Sequence, residues 1–200
     1  MSEPADRIID LYQRRAREWA EARGTTLFER PWLHRFTALL PPGGRVLDIG
    51  CGSGEPIARH LIEQRFAVTG VDSAAAMIAM CAARFPSAAW QVADMRQLAL
   101  GRRFDGLIAW DSFFHLRPED QRAMFPIFGA HAAPKATLMF TSGTSLGEAI
   151  GTFHGEPLYH GSLDPTEYRA LLAEQAFPVV AHTVEDPTCG GHTIWLAQRG

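Results

Sequence analysis

Lysine is almost missing from this 200-residue chain: Lys135 is the only one, and arginine supplies the rest of the 19 cationic side chains. Against 22 acidic residues this leaves a formal charge of −3, which argues against a general nucleic-acid-binding surface, because such a surface needs clustered Lys and Arg. Cysteine is sparse and odd in number, and Cys51, Cys81 and Cys189 show no paired spacing. No disulfide framework is expected, and the usage suits a reducing, cytoplasmic setting. No run reaches the roughly 18 apolar residues that a membrane span needs. Met1 to Arg17 contains no apolar core of a secretory signal. Repeats and low-complexity tracts are missing as well. What is present is a 46% apolar composition, enough for a sizeable core in one domain of this length.

The chain is organised around Arg45 to Gly54, R-V-L-D-I-G-C-G-S-G. A short apolar run, Val46 to Ile49, breaks into glycines at every second position, Gly50, Gly52 and Gly54. That pattern reads as a buried strand ending in a tight turn. Glu55 to Ile62 is helical in composition, with Pro56 tolerated in the first turn. The spacing is G-x-G-x-G, not the G-x-G-x-x-G of dinucleotide sites, and Glu55 stands where a phosphate would approach the helix. An anion would be repelled there. The pattern suits a cationic ligand without phosphate, and S-adenosylmethionine (SAM), with its sulfonium and ammonium, qualifies.

Val46-Leu47-Asp48-Ile49-Gly50-Cys51-Gly52-Ser53-Gly54 resembles motif I of the class I SAM-dependent methyltransferases. Val68-Thr69-Gly70-Val71-Asp72-Ser73 resembles that family's second strand with its ribose-binding acid. The resemblance runs from Arg45 to about Asp111, and more loosely to the C-terminus. It implies a Rossmann-like, doubly wound α/β sheet of seven strands, mostly parallel, with the last strand antiparallel and helices on both faces. The residue pattern alone gives only a doubly wound α/β sheet.

Read in order, residues 1–44 form two helices, Ala5 to Arg23 and a second capped by Thr25 or Thr26 and running to Leu40, before the stop Pro41-Pro42-Gly43-Gly44. Residues 45–142 form the core, with strands at Ala67–Asp72, Ala88–Ala93, Phe104–Trp110 and Ala136–Thr141. Residues 143–163, rich in glycine, read as a mobile lid over the acceptor. Residues 164–200 hold a helix opened by Asp164-Pro165-Thr166-Glu167 and a final strand pair.

Ligands of such sheets lie beyond the carboxyl ends of the strands. This rule selects Asp48, Gly50, Cys51, Gly52 and Gly54 at the first strand, Asp72, Ser73 and Met77 at the second, and Asp94 and Met95 at the third. Trp110 and Asp111 close the fourth. Asp72 is expected on the ribose hydroxyls and Asp48 near the ammonium. Met77 packs on adenine or in the core, and Asp94 meets the adenine amino group or caps the turn after it. Arg30 either pairs with the SAM carboxylate or faces solvent. By the resemblance, the N-terminal helices cover the pocket, so Tyr12 and Trp19 line it or pack on the sheet. His115, His160 and Asp111 are the candidate proton-handling groups, with Phe153, Tyr159 and His160 reaching the acceptor from the lid.

Asp111-Ser112-Phe113-Phe114 lacks the D/N-P-P-Y/F quartet of the family's DNA amino-methylating enzymes, and no carboxylate cluster suggests a metal. The expected activity is methyl transfer from SAM, yielding S-adenosylhomocysteine (SAH), to a small-molecule acceptor by in-line displacement. The expected assembly is a monomer or homodimer, with no nucleic-acid or membrane partner. Methylation of RNA or protein, a catalytically inactive SAM-binding regulator and a nicotinamide-dependent oxidoreductase are the competing readings.

Overall fold

The computed structural model describes residues 3–200. Its centre is a seven-stranded sheet of β1 (Arg45–Ile49), β2 (Ala67–Asp72), β3 (Ala89–Val92), β4 (Phe104–Ala109), β5 (Ala132–Ser142), β8 (Val179–Asp186) and β9 (His192–Gln198), in the order β3-β2-β1-β4-β5-β9-β8. β9 runs antiparallel between β5 and β8, and the other pairings are parallel. The last strand is thus the antiparallel one, as the resemblance implies.

Successive side chains on a strand point to opposite faces, and here both faces are buried. On β4 and β5, Leu107, Ala109, Leu138 and Phe140 join one core, whereas Ile108 and Met139 join the other. This is why the strands read as continuous apolar runs. The first core is closed by α6 (Pro118–His131) and α7 (Pro165–Glu174), through Phe125, Phe128, Tyr168 and Leu172. The second is closed by α3 (Arg30–Ala38) and α4 (Ile57–Glu63), through Trp32, Leu33, Phe36, Ala58 and Leu61. α5 (Ala75–Arg84) packs on the β2–β3 end of the sheet, burying Met77, Ile78 and Cys81.

The N-terminal helix is broken in two. α1 (Ile8–Arg14) and α2 (Ala16–Arg23) meet at Arg15, whose backbone (φ −106°, ψ 20°) leaves the helix. The bend brings Tyr12 and Trp19 to the same pocket, their rings 6.1 Å apart edge to face. The next helix begins at Arg30, not at Thr25 or Thr26, because Arg23 folds residues 24–29 into a turn. Arg23 donates to the Thr26 carbonyl and to the fully buried Glu29.

Residues 143–163 are not an irregular lid. They form a hairpin of β6 (Gly147–Phe153) and β7 (Glu156–Ser162). The two connecting residues, His154 and Gly155, have φ of 48° and 78°, the left-handed pair of a tight hairpin turn. The base of the hairpin is fixed by Gln121, fully buried, whose Nε2 donates to the Gly161 and Leu116 carbonyls. Its Oε1 accepts the Tyr168 hydroxyl at 2.6 Å. The tip is held by Arg14 and Arg15, which both bind Glu156.

Candidate active site

The carboxyl ends of β1, β2 and β4 open into a cavity of about 350 Å³. Its floor is the turn after β1. Gly50 and Gly52 have φ of +74° and +53°, which other residues rarely adopt. A Cβ on Gly50 would fall 2.2 Å from Ser112 Cβ, and one on Gly52 2.9 Å from the Trp19 ring. The turn is therefore pressed between the end of β4 and the covering helix α2.

Two carboxylates face this floor, Asp48 buried and Asp72 half-buried. Asp72 accepts the Gly52 N–H at 3.0 Å and the Ala74 N–H at 2.8 Å. Burial raises its pKa, and those two bonds oppose the rise. Asp48 is 3% exposed and has no hydrogen-bond partner among the described residues. Burial, with Asp72 nearby, pushes it up to about 7. Cys51, Ser73, Met77, Asp94, Met95 and Trp110 complete the expected lining. Asp94 also caps the turn after β3 by accepting the Arg96 N–H. Burial pushes its carboxyl up, but the Arg96 side chain and backbone outweigh this and hold it low.

Tyr12, Trp19, Asp111 and His115 line this cavity and also a second chamber of about 320 Å³ beside it. Phe114, Phe153, Leu158, His160 and His192 line the second chamber. His115 Nδ1 donates to the Tyr159 carbonyl at 2.7 Å, so Nε2 is left to accept the Tyr12 hydroxyl at 2.8 Å. Burial pushes His115 down to about 4, and it is neutral at ordinary pH. Burial, Asp111 and Asp72 raise the Tyr12 phenol, which keeps its proton. His160, its ring 5.0 Å from that of His115, is lowered by burial.

Across the chamber, His192 Nε2 lies 2.9 Å from Asp111 Oδ1, and its Nδ1 lies 2.7 Å from the Cys189 carbonyl. Its ring stands between Phe28 and Trp110, both with centroids at 5.4 Å. Burial alone would lower its pKa, but the bond to Asp111 outweighs burial and raises it.

Residues 46–135 match the model of a protein family described as a methyltransferase domain. That span holds the glycine turn, Asp72 and Trp110, which build the cavity. A curated relative, the dTDP-3-amino-3,6-dideoxy-alpha-D-glucopyranose N,N-dimethyltransferase of Streptomyces fradiae, is 33% identical over 101 residues, half of this chain and 39% of that protein. The chain thus spans about two fifths of that relative's length. The dTDP-4-amino-2,3,4,6-tetradeoxy-D-glucose N,N-dimethyltransferase of Saccharopolyspora spinosa is 23% identical over 189 residues, covering 92% of this chain and 73% of that protein. The SAM-bound structure of CalS10, an amino pentose methyltransferase from Micromonospora echinaspora, superposes with a TM-score of 0.71 at 21% identity, covering 92% of this chain and 95% of that one. At that identity the likeness fixes the fold alone.

Three expected site residues stand elsewhere. Arg30 is exposed at the start of α3, where Trp32, Leu33 and Phe36 take the buried face, and it lines neither cavity. Gly54 lies behind the turn, where a Cβ would be 3.0 Å from Phe85 and 3.3 Å from Cys81 Sγ. It serves helix packing against α5. Tyr159 is on the far face of β7 from Leu158 and His160, and its hydroxyl donates to Glu148 at 2.7 Å. Only its carbonyl reaches the site, through His115. His192 and Arg23 went unnoticed in the sequence. Cys189-Gly190-Gly191 marks a turn that delivers the next residue to a strand end, and that signal pointed to His192. Among the described residues no group of three or more His, Cys, Asp or Glu could hold a metal ion, and no helix is long and apolar enough to cross a membrane.

Proposed function

We propose that this chain is a SAM-dependent methyltransferase that acts on a small-molecule acceptor by in-line displacement, releasing SAH. The observation that carries the reading is the unpartnered Asp48 carboxylate, buried beside Asp72 over a glycine turn. A phosphate cofactor would meet two like charges there, whereas an ammonium supplies the missing counter-charge. In this reading Asp48 faces the ammonium, and the remaining lone pairs of Asp72 take the ribose hydroxyls. Ser73 and Met77 border the ribose and adenine from α5, Met95 and Asp94 border adenine from the turn after β3, and Cys51 and Trp110 close the sides. When bound, SAM supplies an electrophilic methyl group on a sulfonium.

The chain's own residues then do three things. Gly50 and Gly52 let the backbone cradle the ligand, and Trp19 closes over it and keeps water out. Tyr12 is oriented by His115, whose only free lone pair is already engaged, so His115 positions the phenol oxygen and is not the free base expected from its place in the sequence. Asp111 and His160 remain as groups able to receive a proton from the acceptor side. The second chamber, walled by Phe114, Phe153 and Leu158, suits an acceptor of small-molecule size. The chain's likeness to N,N-dimethyltransferases of nucleotide-linked amino sugars supports that scale.

Calorimetry with SAH tests the cofactor. Asp72→Ala is expected to weaken binding about a hundredfold, since two hydrogen bonds to a charged acceptor, roughly 1.5 kcal/mol each, are lost. No binding of SAH to the wild-type chain would overturn the proposal. The transfer is tested by incubation with methyl-labelled SAM and a fractionated small-metabolite extract, in which label must pass to a small molecule and not to RNA or protein.

A further inference from the structure

We infer that the Asp111–His192 pair is the recognition element for an amine acceptor: the Asp111 carboxylate takes an N–H of the incoming amine, and His192 is the positioning residue that aims the carboxylate. The inference rests on the SAM-dependent reading above and adds the acceptor's chemical class.

Asp111 is the group that the two cavities share at the end of β4, and its side chain remains 24% exposed. Its backbone is left-handed, with φ 48°, a conformation that aspartate tolerates better than most residues. The Asp111 N–H is fixed on Thr141 Oγ1 at 2.9 Å. His192 meets both carboxylate oxygens, at 2.9 and 3.1 Å.

Both nitrogens of His192 face atoms that only accept, a carbonyl and a carboxylate. Two N–H donors, those of the imidazolium, satisfy both contacts, and the bond to Asp111 raises the His192 pKa accordingly; the Phe28 ring stacked on it favours the cation as well. The turn before it is built to hold it: Asp186 caps that turn through the Thr188 N–H and takes the Trp32 indole N–H at 2.8 Å. The other titratable groups near Asp111 are Tyr12, His115 and His160, with Glu29 and its partner Arg23 further back. Tyr12 is a neutral phenol and His115 a neutral imidazole. Among the side chains that line both cavities, Tyr12, Trp19, Asp111 and His115, Asp111 is thus the acidic one.

A negative wall discriminates among nucleophiles. In methyl transfer to an amine, the nitrogen lone pair forms the N–CH3 bond as the C–S bond breaks and its electron pair passes to sulfur. The positive charge thereby moves from sulfur to nitrogen, and one N–H proton is then released to solvent. A carboxylate on the acceptor side stabilises that charge as it arrives. The same carboxylate repels a phenolate, thiolate or carboxylate acceptor.

Sinefungin tests this without knowledge of the acceptor, because it is an SAH analogue with a carbon bearing a primary amine in place of the sulfur. Wild-type protein is expected to bind sinefungin at least about tenfold tighter than SAH at pH 7.5, the gain of one charge-assisted bond. D111N, with D111S run beside it, is expected to erase that advantage while SAH affinity stays within about threefold. His192→Gln keeps a donor but loses the charge. It is expected to lose about threefold or more of the sinefungin advantage at both pH 7.5 and pH 5.5, because the carboxylate is no longer held from both oxygens, with SAH affinity unchanged; a purely structural change would move both ligands equally. Sinefungin binding no tighter than SAH in wild type, or an advantage unchanged in both Asp111 variants, overturns the amine assignment. An H192Q protein that matches wild type at both pH values overturns the positioning role. If neither ligand binds wild type, the cofactor reading fails and takes this inference with it.

Discussion

Asp48→Asn isolates the charge that the cofactor is expected to meet. In the free protein the Asp48 carboxyl titrates at about 7 against an unfolded value of 3.8. The folded chain holds a proton that the unfolded chain releases through this window. Stability of the free protein therefore falls as pH rises from about 4 to about 7, by up to about 4 kcal/mol at about 1.36 kcal/mol per pH unit. An ammonium beside Asp48 requires the ionised form. At pH 6, about 90% of the free protein carries the proton, so SAH binding should release about 0.9 proton and be about tenfold weaker than at pH 8. Calorimetry at pH 6 in buffers of different ionisation enthalpy measures the release. D48N is expected to lose that share of the release, to bind SAH with a flatter pH dependence, and to melt higher than wild type at pH 8 when no ligand is present. Equal proton release from D48N and wild type would refute the reasoning.

Other perturbations are read the same way. Gly52→Val puts a β-branched residue at φ +53° and its Cβ against Trp19. It is expected to abolish SAH binding by calorimetry and to cost about 1–3 kcal/mol of stability in urea unfolding. His115→Ala frees the Tyr12 hydroxyl. Turnover on the acceptor is expected to fall about tenfold to a hundredfold with SAH affinity unchanged. Because His115 is neutral above about pH 4, the wild-type kcat profile should show no limb from it between about pH 5 and 8. Gln121→Leu leaves the Tyr168 hydroxyl and the Gly161 and Leu116 carbonyls without their buried partner. It is expected to destabilise by about 2–3 kcal/mol and to speed hydrogen exchange in β6 and β7, and unchanged protection there would refute the pinning role.

The cofactor half of the site was legible because it is local. A buried strand, alternate glycines and an acid at the next strand's end are set by residues within one βαβ unit, and the sequence carries them in a row. The acceptor half was legible only in fragments, since it is assembled by long-range contacts. His115 meets Tyr12 across 103 residues and His192 meets Asp111 across 81, separations that no spacing rule spans. Of the two readings of Arg30, the solvent-facing one matches its place on α3, because Trp32, Leu33 and Phe36 take the buried face. The hairpin was read as a loop from its five glycines. The His154-Gly155 pair at its tip is the turn signal that would have argued otherwise.

Residues 5–12 border the larger cavity, yet much of what moors their helix is ionic and solvent-facing: Arg14 and Arg15 to Glu156, and Arg117 to Glu3 and Asp6. Such tethers weaken as dissolved ions screen them, whereas the two apolar cores of the sheet do not depend on charge. Added salt is therefore expected to loosen these moorings before it loosens the fold.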